Sequence, residues 1–339
     1  MQYRPLGTTG VQVSALCLGT AFRGYRRGAR DEQECVATFE RAVELGCNFI
    51  DCANFYGLGE CEKLVGRLVR RLGVRERLVL TSKVGQAMGE GANRGGLSRR
   101  YIMAEIDRTL RRMQTEYLDV YFMHVPDPAT PLEESLRALH DVVAAGKARY
   151  IGVSNHHPTE LVELLWIADA LGLHRPAVLQ YPYSLVQRWL VEREIAPLCR
   201  RFGLGLMAYS PLAVGLLTGE VRDGKPLPAA NHWATNPHTA EMLGRTAPLR
   251  AALDEVAREE ERTPAQVAVA WLLANPALSA PILGAELPAH VDELFAAAYW
   301  ELPVAAKERL EAVAVESDPL AELPALYGTH PRQRMPPRR

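Results

Sequence analysis

Short apolar runs alternate with longer amphipathic stretches along nearly the whole chain. After an opening segment "YRPLGTTGVQV", the runs are Ala15–Leu18, Asn48–Asp51, Leu78–Ser82, Leu118–Met123, Tyr150–Val153, Ala177–Leu179, Gly205–Ala208 and Pro281–Leu283. Brief apolar segments bounded by turn residues read as buried strands. The stretches between them carry the helical period. Cys61, Leu64, Val65, Leu68 and Leu72 fall on one face of Gly59–Leu72, and Ile102, Ile106, Leu110 and Met113 repeat the pattern after Ser98. "TPLE" at Thr130–Glu133 and "TPAQ" at Thr263–Gln266 each predict a threonine N-cap, a proline at the first helical position and a Glu or Gln reaching back. Gly146 and Gly172 stand where helices should stop. The "GTTG" segment predicts a hairpin turn ahead of the first run.

Strands separated by helices imply parallel pairing through crossover connections. Eight such units predict an α/β fold, a closed (β/α)8 TIM barrel with an N-terminal β-hairpin and long loops on the carboxyl face. No G-x-G-x-x-G follows the first run, where the chain reads "LGTAFRG", which disfavours an open dinucleotide-binding sheet. One barrel domain is expected over 1–316, followed by a partly mobile tail over 317–339. Val214–Ala247, rich in Gly, Pro, Asn and His, is expected to be a long functional loop.

With 48% hydrophobic and 23% charged residues and a formal charge of −1 over 339 residues, the composition is that of an ordinary globular protein. That balance gives no reason to expect nucleic acid or a membrane as partner, and Arg70–Arg71 and Arg111–Arg112 read as solvated helix faces. The six cysteines are scattered, no secretory leader pattern opens at Met1, and no apolar stretch approaches the ~20 residues that span a bilayer. A reduced, cytoplasmic protein is expected. His232 and His238 in "NHWATNPH" lack a ligand set, so no metal is assigned.

Four polar residues interrupt the apolar pattern where the strands should end: Asp51, Lys83 and His124, with Tyr56 in the loop "CANFYG". Such groups are costly to packing and are expected where an α/β barrel assembles its site. A tyrosine has an ordinary pKa of about 10, which a neighbouring ammonium should lower by roughly 1–3. A carboxylate beside the lysine would keep it charged. Asp51, Lys83 and Tyr56 therefore form a plausible relay, with His124 orienting a substrate oxygen. Taken singly, each has an ordinary structural explanation; four at successive strand ends favour catalysis.

These residues, with "NFIDCANFYG", "LTSK", "YLDVYFMH", "GVSNH", "LQYPYS" and "AYSPLAVGLLTG", resemble the aldo-keto reductase superfamily, in the branch containing microbial reductases and potassium-channel β subunits. The resemblance runs from about Tyr3 to Trp300. It implies an NAD(P)-dependent oxidoreductase that reduces an aldehyde or ketone, or runs the reverse reaction on an aldose. It further implies Tyr56 as general acid, tuned by Lys83 and Asp51, with His124 orienting the carbonyl. On the same resemblance, Ser154, Asn155 and Gln180 hold the nicotinamide amide and Tyr209 stacks on its ring. Ser210, Leu212 and Gly215 contact the diphosphate, and Gly19 and Thr20 border the nicotinamide. Phe22, Phe55, Val125 and Trp233 are expected walls of the substrate pocket.

At the last strand, "APILGAELPAHVDEL" departs from the family pattern. Glu286 and Leu287 follow Gly284 where a basic and a hydroxyl residue are usual, Leu294 replaces an Asn, and Glu293 keeps its acidic type. A carboxylate repels a 2′-phosphate and accepts from a free 2′-hydroxyl. Of NADP(H) and NAD(H), the expectation leans toward NAD(H). Competing readings are an interaction subunit on the same barrel and a Schiff-base aldolase with Lys83 as nucleophile. A small-molecule partner is expected for either a monomer or a homo-oligomer.

Overall fold

The computed structural model describes residues 1–22, 31–221, 227 and 232–314; the tail expected to be mobile lies outside them. β1 (Tyr3–Pro5) and β2 (Gln12–Ser14) form the antiparallel hairpin, with Tyr3 opposite Ser14 and Pro5 opposite Gln12. Eight parallel strands then close a barrel: β3 (Cys17–Gly19), β4 (Phe49–Asp51), β5 (Val79–Val84), β6 (Leu118–Met123), β7 (Ala148–Ser154), β8 (Pro176–Pro182), β9 (Gly205–Tyr209) and β10 (Ala280–Leu283). Their order is sequential, and β10 returns to pair with β3. This is the (β/α)8 barrel with its opening hairpin that the alternation predicts.

The helices are α1 (Glu32–Glu44), α2 (Glu60–Leu72), α3 (Arg99–Met113), α4 (Leu132–Ala144), α5 (Pro158–Leu171), α6 (Ala196–Phe202), α7 (Thr239–Glu259), α8 (Pro264–Leu273), α9 (Pro288–Phe295) and α10 (Val304–Val313). α8 begins with the expected capping box, Gln266 N–H donating to Thr263 Oγ1 and Thr263 N–H to Gln266 Oε1. The box expected at Thr130 does not form. Thr130 donates its hydroxyl to Asp127 at 2.7 Å, and α4 starts after Pro131 without a side-chain cap. Asp127, three residues upstream, outcompetes the helix N-terminus for that hydroxyl. The expectation of one loop over 214–247 is also corrected, because α7 begins at Thr239.

Strand residues alternate between the barrel's two faces. Cys17, Phe49, Val79, Val120, Phe122, Val178, Met207, Ala280 and Ile282 fill the interior with Leu6 and Val13 of the hairpin. The hairpin therefore packs against the barrel's inner core. Leu18, Ile50, Leu80, Tyr121, Ile151, Leu179 and Leu206 face the helices. Gly152 is required inside, since a Cβ there would sit 2.3 Å from the Phe122 ring. Continuing the inward register two residues at a time carries Phe49 to Asp51, Thr81 to Lys83, Phe122 to His124, Gly152 to Ser154, Val178 to Gln180 and Met207 to Tyr209. A period-two backbone thus lines one end of the barrel with polar groups.

Candidate active site

Asp51 and Lys83 are enclosed, with side chains 2% and 0% exposed. The Lys83 ammonium donates to Asp51 Oδ2 at 2.7 Å, to the Cys52 carbonyl at 2.7 Å and to Tyr56 Oη at 3.3 Å. The other oxygen of Asp51 accepts from Thr81 Oγ1 and Gln180 Nε2, each at 2.9 Å. Burial alone would pull the Lys83 pKa down; the Asp51 carboxylate and Tyr56 together outweigh it, and the pKa rises. Lys83 is an ammonium across the physiological range.

Tyr56 opens a short 3-10 turn, Tyr56–Gly59, after β4. The expected lowering of its pKa is corrected. Burial pushes it up to about 12, and the opposing Lys83 charge recovers only part of the rise. Desolvation penalises the phenolate more than one ammonium rewards it. The His124 ring meets Tyr56 edge-on, with centroids 6.1 Å apart. Burial and then Lys83 hold its pKa well below the ordinary value, so the imidazole is neutral. Its Nδ1 is buried without a hydrogen-bond partner among the described residues.

Around this group the neighbouring strand ends are laced together. Ser154 donates to the Gln180 carbonyl at 2.9 Å. Asn155 donates to the His124 carbonyl at 2.9 Å and to Ser154 Oγ at 3.0 Å, while Tyr209 Oη donates to Asn155 Oδ1 at 2.8 Å. Thr20 Oγ1 donates to the Asp51 carbonyl at 2.9 Å, and Gly19 pairs with Asp51 in register. Left-handed backbone at residues other than glycine recurs in the loops after these strands, at Phe22, Leu58, Asn155, Ser210, Ala213 and Val214. Each costs on the order of 1–3 kcal/mol when strained and persists where surrounding structure enforces it, often at functional sites.

The remaining expected residues are less centrally placed. Leu212 and Gly215 lie in the loop after β9, Gly284 and Glu286 follow β10, and Glu293 lies on α9 with its carbonyl taken by Gln266 at 2.9 Å. The Glu286 N–H donates to His290 Nδ1 at 3.4 Å. Phe22 and Val125 are buried and Phe55 half-buried. Trp233 is fully enclosed, and its indole donates to the Ala213 carbonyl at 3.1 Å, which anchors the loop after β9.

Sequence reasoning missed four residues behind the sheet: Asn54, Glu62, Glu105 and Arg112. The reading of Arg112 as a solvated face is wrong. Its side chain is 16% exposed and ion-paired with both Glu62 and Glu105, which are 0% and 2% exposed. The signal was spacing: Glu62 lies three residues from Val65 and Glu105 three from Ile102 on the buried stripes of α2 and α3, and Arg112 lies three residues after the buried Thr109.

Fold and site together define a class, the oxidoreductases built on a (β/α)8 barrel. The chain belongs to the aldo/keto reductase family, whose model matches residues 15–314. It is 36% identical to a probable voltage-gated potassium channel subunit beta of Oryza sativa subsp. japonica, over 84% of this chain and 87% of that one. It is 34% identical to the L-glyceraldehyde 3-phosphate reductase of Escherichia coli K12, over 86% of each. An uncharacterized oxidoreductase of Bacillus subtilis is 34% identical over 87% of this chain and 89% of that one.

Proposed function

We propose that this protein reduces an aldehyde or ketone to an alcohol with a nicotinamide dinucleotide, Tyr56 serving as general acid and, in reverse, as general base. The observation that carries the reading is the enclosed Asp51–Lys83 pair with its third proton directed at Tyr56 Oη. When bound, the dinucleotide supplies the hydride. The chain's own groups do the rest. A substrate oxygen received between Tyr56 Oη and the neutral His124 imidazole is oriented by both. As negative charge develops on that oxygen, the phenol gives up its proton, and the Lys83 ammonium stabilises the phenolate left behind. Asp51 keeps the amine charged, so the phenol rather than the ammonium is the group that donates.

The donor set at the barrel mouth suits such a cofactor. Ser154, Asn155 and Gln180 offer amide and hydroxyl groups for the nicotinamide carboxamide, beside Gly19 and Thr20. Tyr209 offers a ring face. The left-handed backbone around Ser210, Leu212 and Gly215 is of the kind that turns N–H groups toward phosphate. Glu286, with no Lys or Arg from 284 to 294, favours the free 2′-hydroxyl of NAD(H) over NADP(H). Titrating the protein with NADH and NADPH, then screening aldehydes with the tighter binder, tests the reading. L-glyceraldehyde 3-phosphate belongs first in that panel, given the Escherichia coli relative. Binding of neither dinucleotide would overturn it.

A second reading, an interaction subunit, is favoured by the similarity to the Oryza protein. Turnover in the same screen separates it from catalysis. A Schiff-base aldolase is disfavoured, because such a nucleophile must be a neutral amine and Lys83 is held protonated. The small-molecule partner, the cytoplasmic location and the choice between monomer and homo-oligomer belong to this proposal.

A further inference from the structure

Behind the catalytic end of the barrel, α2 and α3 enclose a charged cluster that the proposed chemistry does not use. Arg112 on α3 donates to Glu62 of α2 and to Glu105 of its own helix, and to Thr109 Oγ1 at 3.2 Å. Each carboxylate reaches onward to a different part of the catalytic machinery. Glu62 Oε1 accepts from Ser82 Oγ at 2.6 Å, and Ser82 is the outward-facing neighbour of Lys83 on β5. Glu105 Oε1 accepts from Asn54 Nδ2 at 3.2 Å, and Asn54 lies two residues before Tyr56. Arg112 also closes the far end of the Tyr56 turn. Gly59 has φ +94°, and a Cβ there would meet Arg112 Cδ at 2.8 Å.

The arrangement is expensive. Buried ion pairs regain their desolvation cost only in good geometry, and apolar replacements are often as stable. Asn54 Oδ1, Tyr101 Oη and Tyr121 Oη are also buried without a hydrogen-bond partner among the described residues. Tyr101 and Tyr121 both feel the Glu105 charge, which places them at the same cluster. Stability alone does not account for such a set; its fixed ends at Ser82, Asn54 and Gly59 do.

We infer that Arg112 is a positioning residue: through Glu62 and Glu105 it fixes the Tyr56 turn against the Lys83 strand and so sets the contact between phenol and ammonium. The inference rests on the proposed role of Tyr56, and its test separates the two. Asn54→Ala cuts the tie to the turn while leaving the ion pairs in place, and Arg112→Lys keeps the charge without the two-carboxylate fork.

In protein carrying 13C-labelled tyrosine, with the Tyr56 signal assigned from Tyr56→Phe, both variants should move the Tyr56 resonance and its titration midpoint. Tyr3 and Tyr299, at distant exposed sites, should keep theirs. Where the wild-type protein reduces carbonyls, kcat should fall about tenfold or more in Asn54→Ala with dinucleotide affinity within about twofold. That loss should vanish in a Tyr56→Phe background, as expected for groups acting as one unit. An unmoved Tyr56 signal in folded variants overturns the inference even if the protein is an active reductase. A moved signal upholds the brace even if no carbonyl is reduced, in which case only the catalytic reading fails. Additive losses in the double variant would show a general structural effect and also overturn it.

Discussion

The Lys83 ammonium lies 3.3 Å from Tyr56 Oη, yet the phenol's pKa stands at about 12. Proximity to a cation has not made this tyrosine acidic; burial outweighs it. The phenol therefore holds its proton throughout the neutral range, as a donor in carbonyl reduction must. The rate of reduction should be flat from about pH 6 to about pH 9, because a general acid loses effect only as pH passes its own pKa. A pH series of kcat checks this, and a decline centred near pH 8 would show an acidic phenol.

Tyr56→Phe removes the proton while preserving the ring. It should lower kcat by at least ~10²-fold and leave dinucleotide affinity nearly unchanged. Parallel turnover and fluorescence titrations measure both, and retained activity would assign the donor elsewhere.

Lys83→Met leaves the Asp51 carboxylate enclosed without its cation. Removing one partner of a buried pair typically costs about 3–5 kcal/mol. Urea unfolding should show a loss of that order in addition to the loss of activity. Wild-type stability in this variant would mean that Asp51 had taken up a proton at little cost.

His124 carries a pH signature of opposite origin. Its folded pKa is depressed by burial and by Lys83, so the unfolded chain binds a proton that the folded one refuses. Stability from this group is complete above the unfolded value near 6.5 and declines as pH falls below it, by up to about 1.4 kcal/mol per pH unit. Unfolding midpoints at pH 7 and pH 5 should differ less in His124→Gln than in wild type.

Glu286→Arg replaces a group that repels a 2′-phosphate with one that binds it. NADPH affinity should rise about tenfold, equivalent to about 1.4 kcal/mol, while NADH affinity changes little. Equilibrium titration with each dinucleotide decides the point, and no gain for NADPH would remove Glu286 as the determinant.

The barrel was legible because its strands are short, apolar and separated by periodic helices, and because the period-two register carries Phe49 to Asp51 and Thr81 to Lys83. The Tyr56 pKa was not legible, since desolvation sums over a neighbourhood that only the fold assembles. Arg112 was misread for a related reason: one of its two partners, Glu62, lies on another helix, so that pair is invisible within either segment. At Thr130 a local rule failed because Asp127, one turn upstream, offered the hydroxyl a better partner.

The barrel closes at a thin seam. β10 meets β3 only through Ile282 beside Cys17 and Leu283 beside Leu18, whereas β8 and β9 run in register from Val178 to Pro182. Gly19 and Gly284 both lie at the upper edge of that seam. A molecule resting on both would act as a clasp, fastening the cylinder along one of its shortest backbone ladders. Occupancy would then be felt as slower amide exchange in the first and last staves.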